Sequence, residues 1–359
     1  MTDALAERLA ARTLELIDIA SESRDEEALA AHVRGVLEAA GVDVEDAGDT
    51  CLVAGQATRG ERPLVLLAGH FDTVPAQDNR PGRRDGETVF GLGAADMKGA
   101  LAVMIELAVD RAATGGPLDL GCVFFGREEL PFDESALGPL LERSAGLRTA
   151  DLVVVMEPTA GAVQAGCLGN LNATWRFDGR SGHSARPWLA DNALHRAARG
   201  VEAIAALDPV DHEAGGLSYR EVVSVTELHG GIARNVIPGS AYAYVNHRYP
   251  PGMSAADAEQ RLRALCEPLG ELTIDGNAPS GAVPAGNPLM ARLLTLAGGA
   301  LEAKQAWTPV AEFAVAGVDA VNFGPGDPAF AHTRDEQVSA AALAGAHRVL
   351  ERLLDGEGG

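Results

Sequence analysis

The sequence predicts an α/β protein with a mostly parallel central sheet, interrupted by a smaller α+β domain. In the first half of the chain, short apolar runs alternate with stretches of helical periodicity, as in α/β domains. After about residue 170 the order becomes β-α-β-β-α-β, which is typical of a ferredoxin-like unit. Beyond the Gly- and Pro-rich linker "GNAPSGAVPAGNP" the α/β alternation resumes. We therefore predict a main domain formed by residues 1–169 and 281–359, and an inserted domain formed by residues 170–280.

The elements of the main domain are predicted from short apolar runs and from helical spacing. The apolar runs are bounded by Gly, Pro or charged residues, which is typical of buried strands. The predicted strands are "PLVLLAG" (63–69), "DLGCVFFG" (119–126), "DLVVVME" (151–157) and "DAVNFG" (319–324). The predicted helices are residues 1–20, 97–113, 134–146 and 288–299.

The inserted domain is predicted from alternating strands and two amphipathic helices. Its strands are "NATWRFDG" (172–179), "EVVSVTELHG" (221–230), "SAYAYVNHRY" (240–249) and "ELTIDG" (271–276). Its helices are residues 191–207 and 254–269.

Composition narrows the class of protein. The chain has 359 residues, which favours two domains over one core. Its net charge of -22 argues against a nucleic-acid partner, because phosphate binding requires clustered Lys and Arg. The sequence contains no run of transmembrane length and no secretory signal, so no membrane partner is expected. The four cysteines are scattered, without a C-x-x-C pair. A soluble cytoplasmic protein is the expectation.

Histidines and carboxylates follow the predicted strands at the point where each strand ends. In an open α/β sheet, ligands bind outside the carboxyl ends of the strands. Five separate segments bring such residues to that edge. The first holds both His70 and Asp72, the second holds Asp96, the third holds both Glu128 and Glu129, the fourth holds Glu157, and the fifth holds His332.

Each of these residues alone has an ordinary interpretation. The pair Glu128 and Glu129 could be a solvated loop, and Asp72 could be a turn acid. Together, however, the imidazoles and carboxylates are the ligand set of zinc or a similar divalent metal, and a carboxylate could bridge two ions. Adjacent acids can then differ in role, one binding metal and the other accepting a proton from water. Asp72 would fix the tautomer of His70.

Several motifs also carry a resemblance to a known family. "GHFDTVP", "GLGAADMKGALAVM", "REE", "MEPT", "GHSARP" and "ARNVIPG" occur in this order. The chain resembles the co-catalytic di-zinc amidohydrolases that include acetylornithine deacetylase, aminoacylase, carboxypeptidases and succinyl-diaminopimelate desuccinylase. Finer features, such as "EPTAGAVQAGCLGN", are similar to the desuccinylases of high-GC Gram-positive bacteria. The resemblance implies a zinc-peptidase-like catalytic domain with an inserted lid or dimerisation domain.

The resemblance implies a role for each ligand. Asp96 would bridge two zinc ions, and the peptide bond after it would be cis, as in relatives. His70 and Glu157 would complete one site, and Glu129 and His332 the other. Cobalt or manganese could replace zinc.

Further roles follow from the same resemblance. Glu128 would be the general base, and His183 of "GHSARP" would reach the active site of the partner in a homodimer. The residues matching substrate contacts are Asn235, Arg248, Thr308 and Arg186. Arg248 could equally form a strand-end salt bridge, and Arg186 could be a surface residue.

The implied reaction is hydrolysis of N-succinyl-L,L-diaminopimelate to succinate and L,L-diaminopimelate, in lysine and cell-wall synthesis. The substrate is a small N-acyl amino acid in each of the related alternatives, which are acetylornithine deacetylation, another N-acyl-amino-acid amidohydrolase activity, and a dipeptidase activity. "AGCLGNL" lacks the Arg that some Gram-negative desuccinylases place there, and Arg186 replaces a Tyr. A catalytically silent relative and a nonspecific acidic carrier remain as alternatives from other classes.

Overall fold

The computed structural model describes residues 3–358, which form two compact units. The main unit comprises the chain up to Gly166, Val283–Lys304, and the chain from Thr308 onward. The inserted unit comprises Cys167–Ala282 together with Gln305–Trp307. The sequence predicted boundaries after residues 169 and 280, and it did not predict that the short segment Gln305–Trp307 also belongs to the inserted unit.

An eight-stranded sheet forms the centre of the main unit. In spatial order its strands are Val44–Gly48, Cys51–Gly55, Asp119–Phe125, Leu64–His70, Leu152–Val155, Ala320–Asn322, Val163–Ala165 and Leu301–Ala303. The four middle strands pair in parallel. Leu64–His70 is buried at every position, as expected for a parallel strand covered on both faces. The predicted α/β class is confirmed, and the carboxyl ends of the four middle strands lie at one edge.

All four predicted helices are found in the main unit, which contains seven helices among residues 3–358. They are Ala4–Asp18, Glu27–Ala39, Lys98–Thr114, Leu137–Arg143, Pro288–Leu296, Val310–Val315 and Ala340–Leu354. A small sheet contains Arg83–Asp85, Thr88–Phe90 and Gln337–Ser339, and 3-10 turns cover Phe132–Glu134 and Leu147–Thr149.

Several parts of the main unit differ from the prediction, which also lacks the helices Val310–Val315 and Ala340–Leu354 and the four outer strands of the main sheet. The helix predicted over residues 134–146 is limited to Leu137–Arg143, because a 3-10 turn precedes it and "SAG" follows it. Glu27–Ala39 is not predicted from the sequence. Its N-cap residue, Glu26, makes no side-chain capping hydrogen bond, so the usual start signal is missing.

A five-stranded antiparallel sheet forms the inserted unit. In spatial order its strands are Val210–Ala214, Leu217–Gly230, Ser240–Tyr249, Gly169–Asp178 and Glu271–Ala278. The last four have the order expected of the predicted ferredoxin-like unit. Val210–Ala214 is an additional edge strand, and its polar sequence "VDHEA" lacks the apolar alternation that would have indicated it.

Two helices, Ala193–Ala205 and Ala255–Cys266, contribute buried residues to the same core as this sheet. Trp175 and Phe177 lie at the centre of that core. Gly200 allows the helix Ala193–Ala205 to pack closely against Trp175, because a Cβ atom at this position would lie 2.6 Å from the Trp175 ring. Two short paired segments, Gly182–His183 and Val236–Ile237, lie beyond the sheet.

Among residues 3–358, no helix combines the length and the apolar character that crossing a membrane requires. Within the same range no disulfide joins any of the four cysteines, all of which are buried.

Candidate metal centre

Asp96 lies between two histidines at the carboxyl edge of the main sheet. Its Oδ1 atom is 3.2 Å from Nε2 of His70, and its Oδ2 atom is 3.4 Å from Nε2 of His332. The peptide bond between Asp96 and Met97 is cis, as the resemblance implied. Each carboxylate oxygen therefore faces a different imidazole, which is the arrangement that a bridging ligand needs.

Two ligand sets share Asp96. In the first, Nε2 of His70 is 3.7 Å from Oε1 of Glu157. In the second, Nε2 of His332 is 2.9 Å from Oε1 of Glu129. Within each set of three, one ligand atom per residue lies within 4.8 Å of the others. The structure thus brings together all five residues that were predicted as metal ligands.

Glu128 lies beside both sets. It forms a third such group with His70 and Glu129, so distance alone allows it to bind metal. Its backbone N–H is bound by Asp72, while its carboxylate lies close to the ligand atoms of His70 and Glu129. The prediction that Glu128 is the base stays a prediction.

Asp72 is fully buried and anchors the loop that carries both glutamates. Its Oδ1 and Oδ2 atoms accept the backbone N–H groups of Glu128 and Glu129, at 2.9 and 3.0 Å. The Ser23 hydroxyl donates to Oδ2 at 2.8 Å. Nδ1 of His70 is 2.9 Å from the backbone carbonyl of Asp72 and 3.5 Å from its carboxylate. Asp72 therefore orients His70 mainly through its carbonyl, while its carboxylate positions the glutamate pair.

The carboxylates repel one another in a poorly solvated site. The pKa of Glu128 is raised well above its usual value, mainly because the group is buried and secondly because Glu157 repels its charged form. The pKa of Glu157 is raised to about 7, mainly by burial and secondly by repulsion from Asp96. Burial alone would also raise the pKa of Asp96, but hydrogen bonds from His332 and His70 lower it. The site therefore favours positive charge.

In the protein without metal, that positive charge resides on the histidines. Hydrogen bonds to Asp96 and Glu129 raise the pKa of His332 to about 11. Burial alone would lower the pKa of His70, but hydrogen bonds with Asp72 and Asp96 raise it well above its usual value. A divalent cation would replace these protons, because imidazole binds metal in its neutral form.

Two observations show whether the site fits a metal: the types of ligand atom present, and a buried oxygen of Glu157 that has no hydrogen-bond partner among the described residues. Oε1 of Glu157 is buried and accepts no hydrogen bond from any residue that the structure describes. A buried carboxylate oxygen in this state is unfavourable without a cation. Two imidazoles and three carboxylates, with one carboxylate shared, are ligands that suit zinc and similar ions. The residues fit a two-metal site.

Strained backbone accompanies these ligands. Arg127, immediately before Glu128, has a φ of 61°, and His332 has a φ of 59°. Such values are uncommon outside glycine and occur often at functional sites. Arg127 is held by a 2.7 Å hydrogen bond to the Glu134 carbonyl and by an ion pair with Asp49.

Two buried charged residues beside the site were missed by sequence reasoning. Glu336 is buried and accepts the backbone N–H of Asp96 at 2.9 Å. Lys304 is buried, donates to the Pro158 carbonyl at 3.3 Å, and its charge counteracts the raised pKa of Glu157. Lys304 is one of only two lysines in the chain, and Glu336 follows Arg334 and Asp335 just after His332, so its residue type gave no specific signal.

The predicted substrate residues lie in both units. His183 and Asn235 are exposed in the inserted unit, where the Asn235 carbonyl accepts the backbone N–H of Ser184. Arg186 is exposed, and its backbone N–H donates to the His183 carbonyl at 2.8 Å. Thr308 is buried at the start of Val310–Val315 in the main unit.

Arg248 does not form the strand-end salt bridge considered above. Its Nε atom donates to Oδ1 of Asn246 at 2.9 Å, and no carboxylate of residues 3–358 pairs with it. It lines a cavity of about 420 Å³ in the inserted unit, beside the ion pair of Arg220 with Asp211.

Comparisons with known proteins agree with this geometry. The profile of a peptidase dimerisation domain matches residues 167–272. A Mycobacterium tuberculosis protein, provisionally named succinyl-diaminopimelate desuccinylase DapE, is 39% identical over 96% of this chain and 97% of its own. The succinyl-diaminopimelate desuccinylase of Corynebacterium glutamicum is 34% identical over 95% of each chain. The N-acetyl-L-citrulline deacetylase of Xanthomonas campestris is 32% identical over 90% of each.

A solved structure shares the fold over the same extent. It is that of a Bacillus subtilis protein described as a dinuclear metal-binding peptidase of the M20 family. The TM-score is 0.72 at 16% identity, and the match covers 98% of each chain.

Proposed function

The chain belongs to the M20 family of metal-dependent peptidases and amidohydrolases, and on that premise we propose that it hydrolyses the amide bond of N-succinyl-L,L-diaminopimelate. The products would be succinate and L,L-diaminopimelate. The observation that carries the chemistry is the sharing of Asp96 by two ligand sets, with Glu128 beside them. The full-length relatives with desuccinylase names support the succinyl substrate.

We propose zinc as the metal in both sites, with cobalt or manganese able to replace it. His70, Asp96 and Glu157 would hold one ion, and Asp96, Glu129 and His332 the other. Bound there, the ions would supply Lewis-acid chemistry that polarises the scissile carbonyl and makes water acidic enough to react near neutral pH.

The protein's own acid–base group in this reaction is Glu128. Its carboxylate takes a proton from the attacking water as the new C–O bond forms. It then gives that proton to the leaving nitrogen as the C–N bond breaks. One water is consumed, and one carboxylate and one amine are produced. Asp72 keeps the loop in place during this exchange through the backbone amides of Glu128 and Glu129.

We propose that the protein acts as a homodimer in which His183 enters the active site of the partner and polarises the substrate carbonyl. The support is the match of residues 167–272 to a peptidase dimerisation domain. His183 is exposed, and Trp188 and Leu189 just after it are 74% and 59% exposed. Two neighbouring large apolar side chains exposed to this degree add support for a contact surface at this segment.

Mixing two inactive variants tests this arrangement. We expect His183→Ala and Glu128→Gln homodimers each to lose most activity. After subunit exchange, half of the dimers are mixed, and each mixed dimer has one site with Glu128 from one chain and His183 from the other. The mixture should therefore recover about a quarter of the wild-type rate. No recovery in a mixture shown to contain mixed dimers would place His183 in the site of its own chain.

Substrate binding would use Arg248, Asn235, Thr308 and Arg186. Arg248 is the strongest candidate for a substrate carboxylate, because its guanidinium is half-buried beside a cavity and has no acidic partner among residues 3–358. A bidentate pair with a carboxylate would satisfy it.

We place the reaction in the cytoplasm. The four buried cysteines carry free thiols, which is consistent with the reducing compartment that we propose.

A substrate comparison tests the assignment. We expect the metal-loaded enzyme to hydrolyse N-succinyl-L,L-diaminopimelate with a kcat/KM at least about tenfold above that for N-acetylornithine, the difference that ~1.4 kcal/mol of discrimination provides. A sample treated with EDTA should be inactive and should recover when zinc is restored. A preference for the acetyl substrate would keep the mechanism and replace the substrate, as the similarity to an acetylcitrulline deacetylase allows. If the metal-loaded enzyme hydrolysed neither substrate, dipeptides would be the next substrates to test.

A further inference from the structure

The loop that carries Asp96 needs an anchor outside itself. It connects Thr88–Phe90 to Lys98–Thr114 and contains two glycines. Gly93 has a φ of 81°, and a Cβ atom there would lie 2.9 Å from the Lys98 side chain. The N–H of Leu92 donates to the Asn79 carbonyl and that of Ala94 to the Gly91 carbonyl, so the loop still requires an acceptor for the N–H groups of Gly93, Ala95 and Asp96. Unpaired buried N–H groups would be unfavourable, so the position of their acceptor determines the position of the loop.

A single buried carboxylate is that acceptor. Oε2 of Glu336 accepts the N–H of Gly93 at 2.8 Å. Oε1 accepts the N–H groups of Ala95 and Asp96 at 3.0 and 2.9 Å. The backbone carbonyl of Glu336 also accepts the N–H of Gly91, at 3.0 Å. Both carboxylate oxygens are used, and the side chain is 2% exposed.

The same residue is linked to the second ligand set through its own chain segment. Glu336 lies four residues after His332, and its N–H donates to the Thr333 carbonyl at 3.3 Å. It therefore joins the segment that supplies one imidazole to the loop that supplies the bridging carboxylate. Asp72 has the equivalent arrangement for the loop of Glu128 and Glu129, where two backbone N–H groups converge on one carboxylate.

We propose that Glu336 is a positioning residue of the metal centre, which holds the backbone of Asp96 so that its two oxygens face His70 and His332 before metal binds. The proposal rests on the proposed function only in assuming that the site binds metal. Its main readout is metal affinity, so it can be judged even if the substrate assignment fails.

The test is metal binding by Glu336→Gln, measured by calorimetric titration of the metal-free protein with zinc. One amide oxygen can still accept N–H groups, but the NH₂ group then faces a backbone donor. We expect zinc affinity to fall about 10- to 100-fold, as for other partners that orient metal ligands. We also expect kcat to fall at saturating zinc with KM little changed, and the visible spectrum of the cobalt-loaded protein to change.

The matched control is Glu106→Gln. Glu106 is also buried, but it pairs with Arg8 and Arg12 away from the ligands. This variant should lose stability and keep wild-type zinc affinity. A folded Glu336→Gln protein with wild-type affinity, spectrum and kcat would overturn the proposal.

A measurement on the wild-type protein decides the matter if Glu336→Gln does not fold. In the metal-free protein, the amide hydrogens of Gly93, Ala95 and Asp96 should exchange at least about a hundredfold more slowly than that of exposed Gly60, because Glu336 holds them. Exchange as fast as at Gly60 would mean that the loop is not held in advance, and the proposal would be wrong.

Discussion

Glu128→Gln should retain two metal ions per chain and lose about 10²- to 10⁴-fold in kcat, the range expected for removal of a general acid–base group. The amide has nearly the same shape as the carboxylate, but it cannot accept a proton at neutral pH. The loop should keep its position, because Asp72 holds it through backbone N–H groups that the substitution leaves in place. Metal content measured by atomic emission, together with the steady-state rate, checks both parts.

This experiment separates two roles that the distances leave open. Glu128 is near enough to His70 and Glu129 to act as a ligand instead of a base. If it were a ligand, the variant would lose metal along with activity. Glu134→Gln is the matched control, since Glu134 lies in the same loop and forms an exposed ion pair with Arg24. That variant should retain both metal and rate.

The pKa of His70 provides a second check on Glu128→Gln. In the metal-free protein, attraction to the negative charges of Glu128 and other acids favours protonated His70, and the Glu128 charge is one cause of its raised pKa. The neutral amide removes that contribution, so the pKa of His70 should fall in the variant. Titration of the metal-free proteins followed by NMR measures this directly. An unchanged pKa of His70 would mean that the two side chains do not interact as the structure indicates.

Much of the fold and of the ligand set could be predicted, because both depend on local patterns. A buried parallel strand is a short apolar run, so the end of the run marks where a ligand must lie. His70, Glu129 and Glu157 all lie at or just after such ends, and the structure brings them together. Val210–Ala214 was missed because an exposed edge strand needs no apolar pattern.

The supporting contacts could not be predicted, because they join backbone groups across long stretches of chain. Glu336 bonds to N–H groups that are 240 or more positions away in sequence, and backbone donors leave no residue-type signal. The left-handed backbone of Arg127 is equally invisible in the sequence. The roles of adjacent Glu128 and Glu129 depend on how that backbone turns, so residue type alone did not distinguish them.

Asp96→Asn should reduce metal binding at both sites and lower activity by more than about a hundredfold. Substitutions of residues that only orient ligands reduce metal affinity or activity about 10- to 100-fold, and loss of a ligand shared by two ions should exceed that range. The amide oxygen could still bind one ion, but its NH₂ group would face the other site. Two cations would also lose the negative charge between them, so their mutual repulsion would rise. Metal content after gel filtration and the rate of hydrolysis measure the effect.

The matched control for this prediction is Asp151→Asn. Asp151 precedes Leu152–Val155 at the opposite edge of the same sheet, where it accepts the N–H of Leu64 at 2.8 Å and pairs with Arg59. Its substitution should lower stability without changing metal content. The metal-free Asp96→Asn protein should also show a lower pKa for His332, because the hydrogen bond that His332 donates to the Asp96 carboxylate is the largest cause that raises it. A variant that keeps two ions per chain at wild-type affinity would show that Asp96 does not bridge, and each ion would then have to be held by the two remaining ligands of its own set.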